Sequence, residues 1–333
     1  MWLDGELASR PFIAGDRYTV ADITAPCGLL LGKHTGTPIP ENLTNLTRWF
    51  AEVFSRPSAR AGARQHRFEE THMAKRVCLV IGAGAGIGGN VAKRFAREGY
   101  HAVLARRSDK EGLDRLVGEI EAEGGSATGF MLNAVDDGSI EELVATVEAD
   151  IGPVEVAVFN LGAQIGNRAL ASTSLKMFER GWRMATFALF RLAVALFPYM
   201  EKRGGGTLLV TSATAAMRGN AGQHSHAAAM AGRRMLCQTL NAEFAAKGIH
   251  VAHILIDGAV DAPDTLGKML GAERYQQLRQ AKGLEKDGLL LPAEVANTYF
   301  YVAHQHRSAW THELDLRAFS DLAWWNHASS GSL

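Results

Sequence analysis

A short apolar run that opens into a glycine-rich turn constrains this chain more than any other feature. Val77-Cys78-Leu79-Val80-Ile81 leads into Gly82-Ala83-Gly84-Ala85-Gly86-Ile87-Gly88, and an amphipathic stretch follows, with Val91 and Phe95 on one face and a stop at Gly99. A β-branched run free of polar residues suits a strand buried on both faces of a parallel sheet. Strand, glycine turn and helix, in that order, form the context in which a glycine pattern points to a dinucleotide site. Gly82 permits the tight turn, and Gly86 and Gly88 let backbone and helix approach a pyrophosphate and the sheet. The helix start then presents N–H groups and the positive end of its dipole to phosphate. The spacing is G-x3-G-x-G, and the candidate contacts are Gly82, Gly84, Gly86, Ile87 and Gly88.

Further strand–helix units extend the pattern. Strands are predicted at His101–Ala105, Gly129–Leu132, Val154–Phe159, Gly205–Thr211, Ile249–Ile256 and Thr311–Arg317, with helices such as Glu111–Glu123 and Ser139–Ile151 between them. Alternating units of this length imply an α/β fold, a Rossmann-type doubly wound parallel sheet with helices on both faces. The second strand ends Leu104-Ala105-Arg106-Arg107-Ser108, without a carboxylate. An acid there would bond the ribose hydroxyls of NAD, whereas Arg accommodates the 2′-phosphate of NADP, so Arg106 and Arg107 favour NADP(H) over NAD(H).

Composition narrows the remaining classes. Lys+Arg and Asp+Glu are both 35, a formal net charge of zero, and no basic cluster is visible, which argues against a nucleic-acid partner. Cys27, Cys78 and Cys237 lie far apart, so neither a disulfide scaffold nor a zinc cluster is expected, and His224-Ser225-His226 has no acid or Cys at ligand spacing. The most apolar stretch, Met184–Met200, is 17 residues long and interrupted by Arg191. A membrane span wants about 20 apolar residues, so a buried or interface helix is expected instead. The N-terminus has neither a basic region nor an apolar leader, and a cytoplasmic protein is expected.

The first 62 residues read differently. They are helix-like, with no strand run, and a polar mixed-charge linker over 63–72 separates them from the α/β part at 73–333. Thr19-Val20-Ala21-Asp22 is a capping box in which an acid stands in for the usual Glu or Gln, with Tyr18 and Ile23 placed as its hydrophobic staple. The Thr19 hydroxyl is expected to accept from the Asp22 N–H, and the Asp22 carboxylate from the Thr19 N–H. With the surrounding Pro11–Ile23, Leu43–Phe50 and Arg56-Pro57-Ser58, this small all-α segment resembles the C-terminal helical domain of glutathione transferases. In that family the glutathione site sits on a preceding thioredoxin-like domain. The resemblance therefore implies a helical fragment without transferase activity, either a docking or oligomerisation module or a remnant of gene fusion.

Residues 73 to about 325 resemble a short-chain dehydrogenase/reductase. The G-x3-G-I-G turn fits, and Asn160-Leu161-Gly162 fits the family's N-A-G motif with Leu for Ala, which makes Asn160 and Gly162 cofactor-site candidates. Asn133 stands where the family places an Asp on adenine, and its amide can both accept and donate there. Asp257-Gly258 replaces a Pro-Gly. The resemblance implies NADP(H) or NAD(H), a small-molecule substrate, and a homodimer or homotetramer.

The catalytic register departs from the family. Its Tyr falls on His226 and its Lys on Met230. Its Ser falls near Ala213, between Ser212 and Thr214, and its Asn falls on Ala185. Met can neither donate a hydrogen bond nor carry charge. Three readings follow. In the first, His226 carries the proton, since imidazole titrates near neutrality without help from a Lys, and Ser212 or Thr214 orients the carbonyl of a carbonyl/alcohol pair. In the second, the protein binds NADP(H) but is inactive, a sensor or partner subunit. In the third, the pocket runs another reaction. Arg233 and Arg234 are expected on the helix surface, with a cofactor phosphate as the other option. The segment near Asp261–Gln280, with Leu266, Met269 and Leu270, is expected to cap a small apolar substrate. Phe319, Trp310, Trp324 and Trp325 read as core or dimer packing, with a substrate lid as the alternative.

Overall fold

The computed structural model describes residues 2–34, 39–40, 42–56, 75–162 and 168–326. The chain forms two compact units, Met1–Met73 and Ala74–Leu333.

The second unit is built on seven parallel strands in the order β3-β2-β1-β4-β5-β6-β7. They are β1 Val77–Ile81, β2 His101–Arg106, β3 Ser126–Met131, β4 Val154–Phe159, β5 Gly206–Ala213, β6 Ile249–Ile256 and β7 Glu313–Leu316. All five β1 residues are buried, as a continuous apolar run at the sheet centre requires. Val77, Leu79 and Ile81 enter one core with helices Ala188–Lys202 and His224–Phe244, whereas Cys78 and Val80 enter the other with helices Ile87–Arg97 and Pro292–Ala303. That alternation follows from the two-residue period of a strand. The chain winds one way from β1 to β3 and the other way from β4 onward. The switch between β1 and β4 opens a crevice at the carboxyl ends of these strands.

Several predicted boundaries shift, β5 among them, which runs Gly206–Ala213 rather than Gly205–Thr211. β3 begins at Ser126 rather than Gly129, because an edge strand tolerates polar residues. The His101 ring nitrogens of β2 lie 2.9 Å from Ser126 Oγ and Thr128 Oγ1. β7 shortens to Glu313–Leu316 from the predicted Thr311–Arg317. The helix predicted over Ser139–Ile151 is α-helical only to Thr146, and its last turn widens into a π-helical turn at Val147–Ile151.

Among the described residues, one helical stretch, Leu175–Lys202, is long and apolar enough to cross a membrane by length and composition, and its apolar window is half buried. Its inner residues pack under the sheet. Arg191, which interrupts the apolar run, is 7% exposed but fully engaged, with Nε on Glu141 at 2.8 Å and Nη1 on the Ala134 and Asp136 carbonyls.

The first unit contains helices Trp2–Glu6, Ala21–His34 and Thr44–Ser55, with a core of Leu7, Leu46, Trp49 and Val53. Asp22 is fully buried and accepts from the Ile13 N–H, the Thr19 N–H and Trp49 Nε1, each at 2.9 Å. Burial alone would push its carboxyl up, but these hydrogen bonds outweigh it and hold the group below its usual range. The Thr19 hydroxyl departs from expectation. It accepts from the Ala21 N–H at 3.3 Å, because the Asp22 N–H is taken by the Thr19 carbonyl. Ile23 stays 54% exposed, and Tyr18 packs edge-on against Phe12 and beneath the Arg56 guanidinium.

A pH test follows from β6. His253 is fully buried, with Nδ1 3.1 Å from Glu313 of β7, and burial lowers its pKa to about 4 against the pull of that carboxylate. An unfolded His titrates near 6.5, so this contribution is full above pH ~6.5 and is lost as pH falls toward 4. The loss attributable to His253 is expected at about 3 kcal/mol. Urea unfolding at pH 7 and pH 4 should show a smaller acid loss in His253→Gln, and an unchanged loss would contradict the assignment.

Candidate active site

The crevice between β1 and β4 holds a cleft of about 360 Å³; Ile256, Val260 and Thr265, from the end of β6 and the segment after it, close one side, and the other walls come from three places. The first is the glycine turn after β1. Gly82 has φ +96°, and a Cβ there would lie 2.7 Å from the Asn160 carbonyl oxygen. At Gly88 a Cβ would lie 2.3 Å from the Gly82 oxygen. Asn160, just past β4, donates its side-chain amide to that same Gly82 oxygen at 3.0 Å, which ties the two strand ends together. A Cβ at Gly84, in contrast, would meet nothing within 4 Å. Helix Ile87–Arg97 starts at Gly86 with no side chain capping it; the Gly89 N–H donates to the Gly84 carbonyl at 2.8 Å, which leaves the Ile87 and Gly88 N–H groups of the first turn to a ligand. Gly82, Gly84, Gly86, Ile87, Gly88, Asn160 and Gly162 all line this cleft. The open space over Gly84 and the uncapped helix end fit a phosphate-bearing nucleotide.

The second wall is the end of β5 and the third is helix His224–Phe244. Thr211, Ser212 and Ala213 come from the strand, and His226, Met230 and Arg233 from the helix. Spacings of four and seven residues put those three side chains on one helix face. Ser212 is buried, and its hydroxyl donates to Met230 Sδ at 3.8 Å. The structure thus brings Ser212 and His226 into one cleft. Thr214 instead opens the 3₁₀ turn Thr214–Ala216 and is not among the lining residues. Ala185 packs with Met230 in a small apolar cluster that Trp324 also joins.

Arg233 departs from the surface position expected of it. It is 1% exposed, and its guanidinium donates to three backbone carbonyls: Ala185 at 3.0 Å, Thr211 at 2.6 Å and Leu161 at 2.8 Å. Burial lowers its pKa to about 10. Its separation from Met230 was the signal available in sequence, since three residues on is the same face. Arg234, one step round the helix, pairs with both oxygens of Glu313 at 2.6 and 2.7 Å.

At the other side of the glycine turn a smaller cleft of about 80 Å³ is lined by Ala85, Gly89, Asn90, Lys93, Arg106 and Arg115, among others. Arg106 reaches it and contacts Asp109 at 3.0 Å. Arg107 is exposed and lines neither cleft. Asn133 also lies outside both, and its amide donates to Asp136 at 2.7 Å.

Comparison with known proteins decides the family. The short chain dehydrogenase profile matches residues 76–265. The chain belongs to the short-chain dehydrogenase family. It is therefore an oxidoreductase of the kind that acts on carbonyl/alcohol substrates. Residues 2–57 of this dehydrogenase match the glutathione S-transferase C-terminal domain. It is 33% identical over 194 residues to a 3-oxoacyl-acyl-carrier-protein reductase from Thermotoga maritima, covering 57% of this chain and 76% of that one. To the 7alpha-hydroxysteroid dehydrogenase of Escherichia coli K12 it is 27% identical, over 67% of this chain and 85% of the relative. A solved short-chain dehydrogenase from Rhodopseudomonas palustris superposes with a TM-score of 0.61 at 32% identity, covering 74% of this chain and 99% of its own.

Asp257, where the family has Pro, is buried. Its carboxylate accepts from Arg317 Nη1 at 2.9 Å and from the Trp324 N–H at 3.0 Å. Arg218 Nη1 holds the Trp324 carbonyl at 2.5 Å. The acid therefore pins the C-terminal segment that brings Trp324 against the Met230 cluster.

Proposed function

We propose that the protein is an NADP(H)-dependent oxidoreductase that interconverts a small apolar carbonyl and its alcohol, with His226 moving the proton. The observation that carries this is one cleft in which an uncapped helix start and glycine turn lead to Ser212 and His226. The Gly82–Gly88 turn and the helix N–H groups hold the pyrophosphate. When bound, the nicotinamide supplies or takes the hydride. Ser212 orients the substrate oxygen. Its present partner is a thioether, a weak acceptor that a carbonyl oxygen displaces. His226 delivers a proton to that oxygen, or removes it in the reverse direction. Leu161, Met230, Ile256 and Val260 also line this cleft, which supports an apolar substrate.

The two clefts flank the glycine turn, so a dinucleotide laid across it would place its adenosine end by Arg106. No acid ends β2, and this supports NADP(H) over NAD(H). Arg106→Asp is expected to weaken NADPH by about 1–3 kcal/mol, the scale of a charge-assisted hydrogen bond, and NADH by less. Fluorescence titration checks this, and equal losses for both nucleotides would show that Arg106 does not meet a 2′-phosphate. A second reading, nucleotide binding without turnover in a sensor or partner subunit, is favoured by the Ser212–Met230 contact, which fills the position of the family's Lys with a group that cannot donate. NADPH binding with no oxidation by any carbonyl would support it. Phe178, Trp182, Phe190 and Val194 are exposed on the Leu175–Lys202 helices, and this supports assembly as a homodimer or homotetramer.

A further inference from the structure

We propose that Arg233 is the cofactor-positioning cation of this cleft, supplying from the next helical turn the charge that position 230 lacks. This rests on the reading of the cleft as a nicotinamide dinucleotide site. The guanidinium is almost wholly buried, and no carboxylate pairs with it among the described residues. An unpaired buried charge is costly, so a chain that keeps one there needs either a structural or a ligand-binding return.

Structural ties account for part of it. Three of the five guanidinium N–H groups go to the Leu161, Thr211 and Ala185 carbonyls. The other two meet no oxygen or nitrogen acceptor among the described residues; the guanidinium lies 5.0 Å over the Phe159 ring, a weaker partner than a carboxylate, and Arg233 lines the cleft. The carbonyls also fix where the charge sits. Leu161 follows Asn160, which braces the glycine turn, and Thr211 precedes Ser212. The cation therefore lies between the phosphate cradle and the reacting groups. A dinucleotide spanning these two places has its ribose hydroxyls there, and its phosphates carry the negative charge that balances the guanidinium. Met230 lies three residues before Arg233 on the same helix face, so a Lys at 230 and an Arg at 233 can serve one point in the cleft from successive turns.

The test measures NADPH affinity by fluorescence titration and thermal midpoint without nucleotide, in the full chain. The variants are R233K, R233Q and M230K/R233Q. R233Q removes the charge and is expected to weaken NADPH by about 30-fold or more. R233K keeps the charge, loses the fork, and should stay within about fivefold of the parent. M230K/R233Q returns the charge to position 230 and should recover to within about tenfold of the parent, while its thermal midpoint remains as low as that of R233Q. A purely structural tie would not be rescued from position 230. Equal weakening in R233K and R233Q, or no recovery in the double variant, overturns the proposal. Should R233Q not fold, R233K decides alone, and a loss above about tenfold overturns it. A parent protein that binds neither NADPH nor NADH overturns the dinucleotide reading and this proposal together. A parent that binds, with Arg233 variants that bind equally well, overturns this proposal alone.

Discussion

His226→Phe is expected to lower turnover by about 10²–10⁴, the usual worth of a positioned general acid or base, while NADPH binding persists. Phenylalanine keeps the ring volume at a position that is 9% exposed, so packing changes little. The Gly82–Gly88 turn is untouched, so the nucleotide should still bind. A protonation-dependent limb in the pH profile of the parent should vanish in the variant. Steady-state rates across pH 5–9 make the check. An unchanged rate in His226→Phe would remove His226 from the mechanism and leave either the non-catalytic reading or another reaction.

The second large effect is expected at Gly88. Gly88→Val places a Cβ 2.3 Å from the Gly82 oxygen and 2.9 Å from Asn160 Nδ2. The first of these is backbone at the end of β1, so relief requires the helix start at Gly88 to move away from that strand end. A loss of about 2–4 kcal/mol in stability is expected, as for other overpacked interior positions, together with at least a hundredfold loss of NADPH affinity. Gly84→Ala separates packing from binding. Its Cβ meets nothing within 4 Å, so stability should change by less than about 0.5 kcal/mol, yet the methyl stands in the space read as the phosphate cradle, and affinity should fall. Urea unfolding and NADPH titration of both variants give the comparison. A Gly84→Ala protein that binds NADPH as tightly as the parent would move the phosphates away from that residue.

Much of this architecture could be read from residues because each element carried one dominant signal. The β1 strand is a pure apolar run, and Gly82 and Gly88 after it sit in close backbone contacts that no side chain would permit. Signals failed where tertiary contacts override local character. Ser126 and Thr128 fall outside the strand expected at Gly129–Leu132, but they are strand residues, with the His101 ring on the neighbouring strand against both hydroxyls. Arg233 is expected at the surface because a charged residue on a helix usually is, and the packed structure shows three carbonyls converging on one point of that helix face. Ser212 and Thr214 were indistinguishable by type. The strand ends at Ala213 and the chain turns into a 3₁₀ segment, so Ser212 lines the cleft and Thr214 does not. Asp257 was visible as a departure from the family, but its partners Arg317 and Trp324 lie 60 and 67 residues away in sequence.

The central claim is that the crevice between β1 and β4 is a nicotinamide dinucleotide site with a preference for the 2′-phosphate. Equilibrium titration of the purified full chain with NADPH and with NADH tests it most directly. Both should bind, with NADPH tighter by about tenfold or more, the factor expected from one charge-assisted contact at Arg106. Failure of both nucleotides to bind at millimolar concentration would contradict the claim.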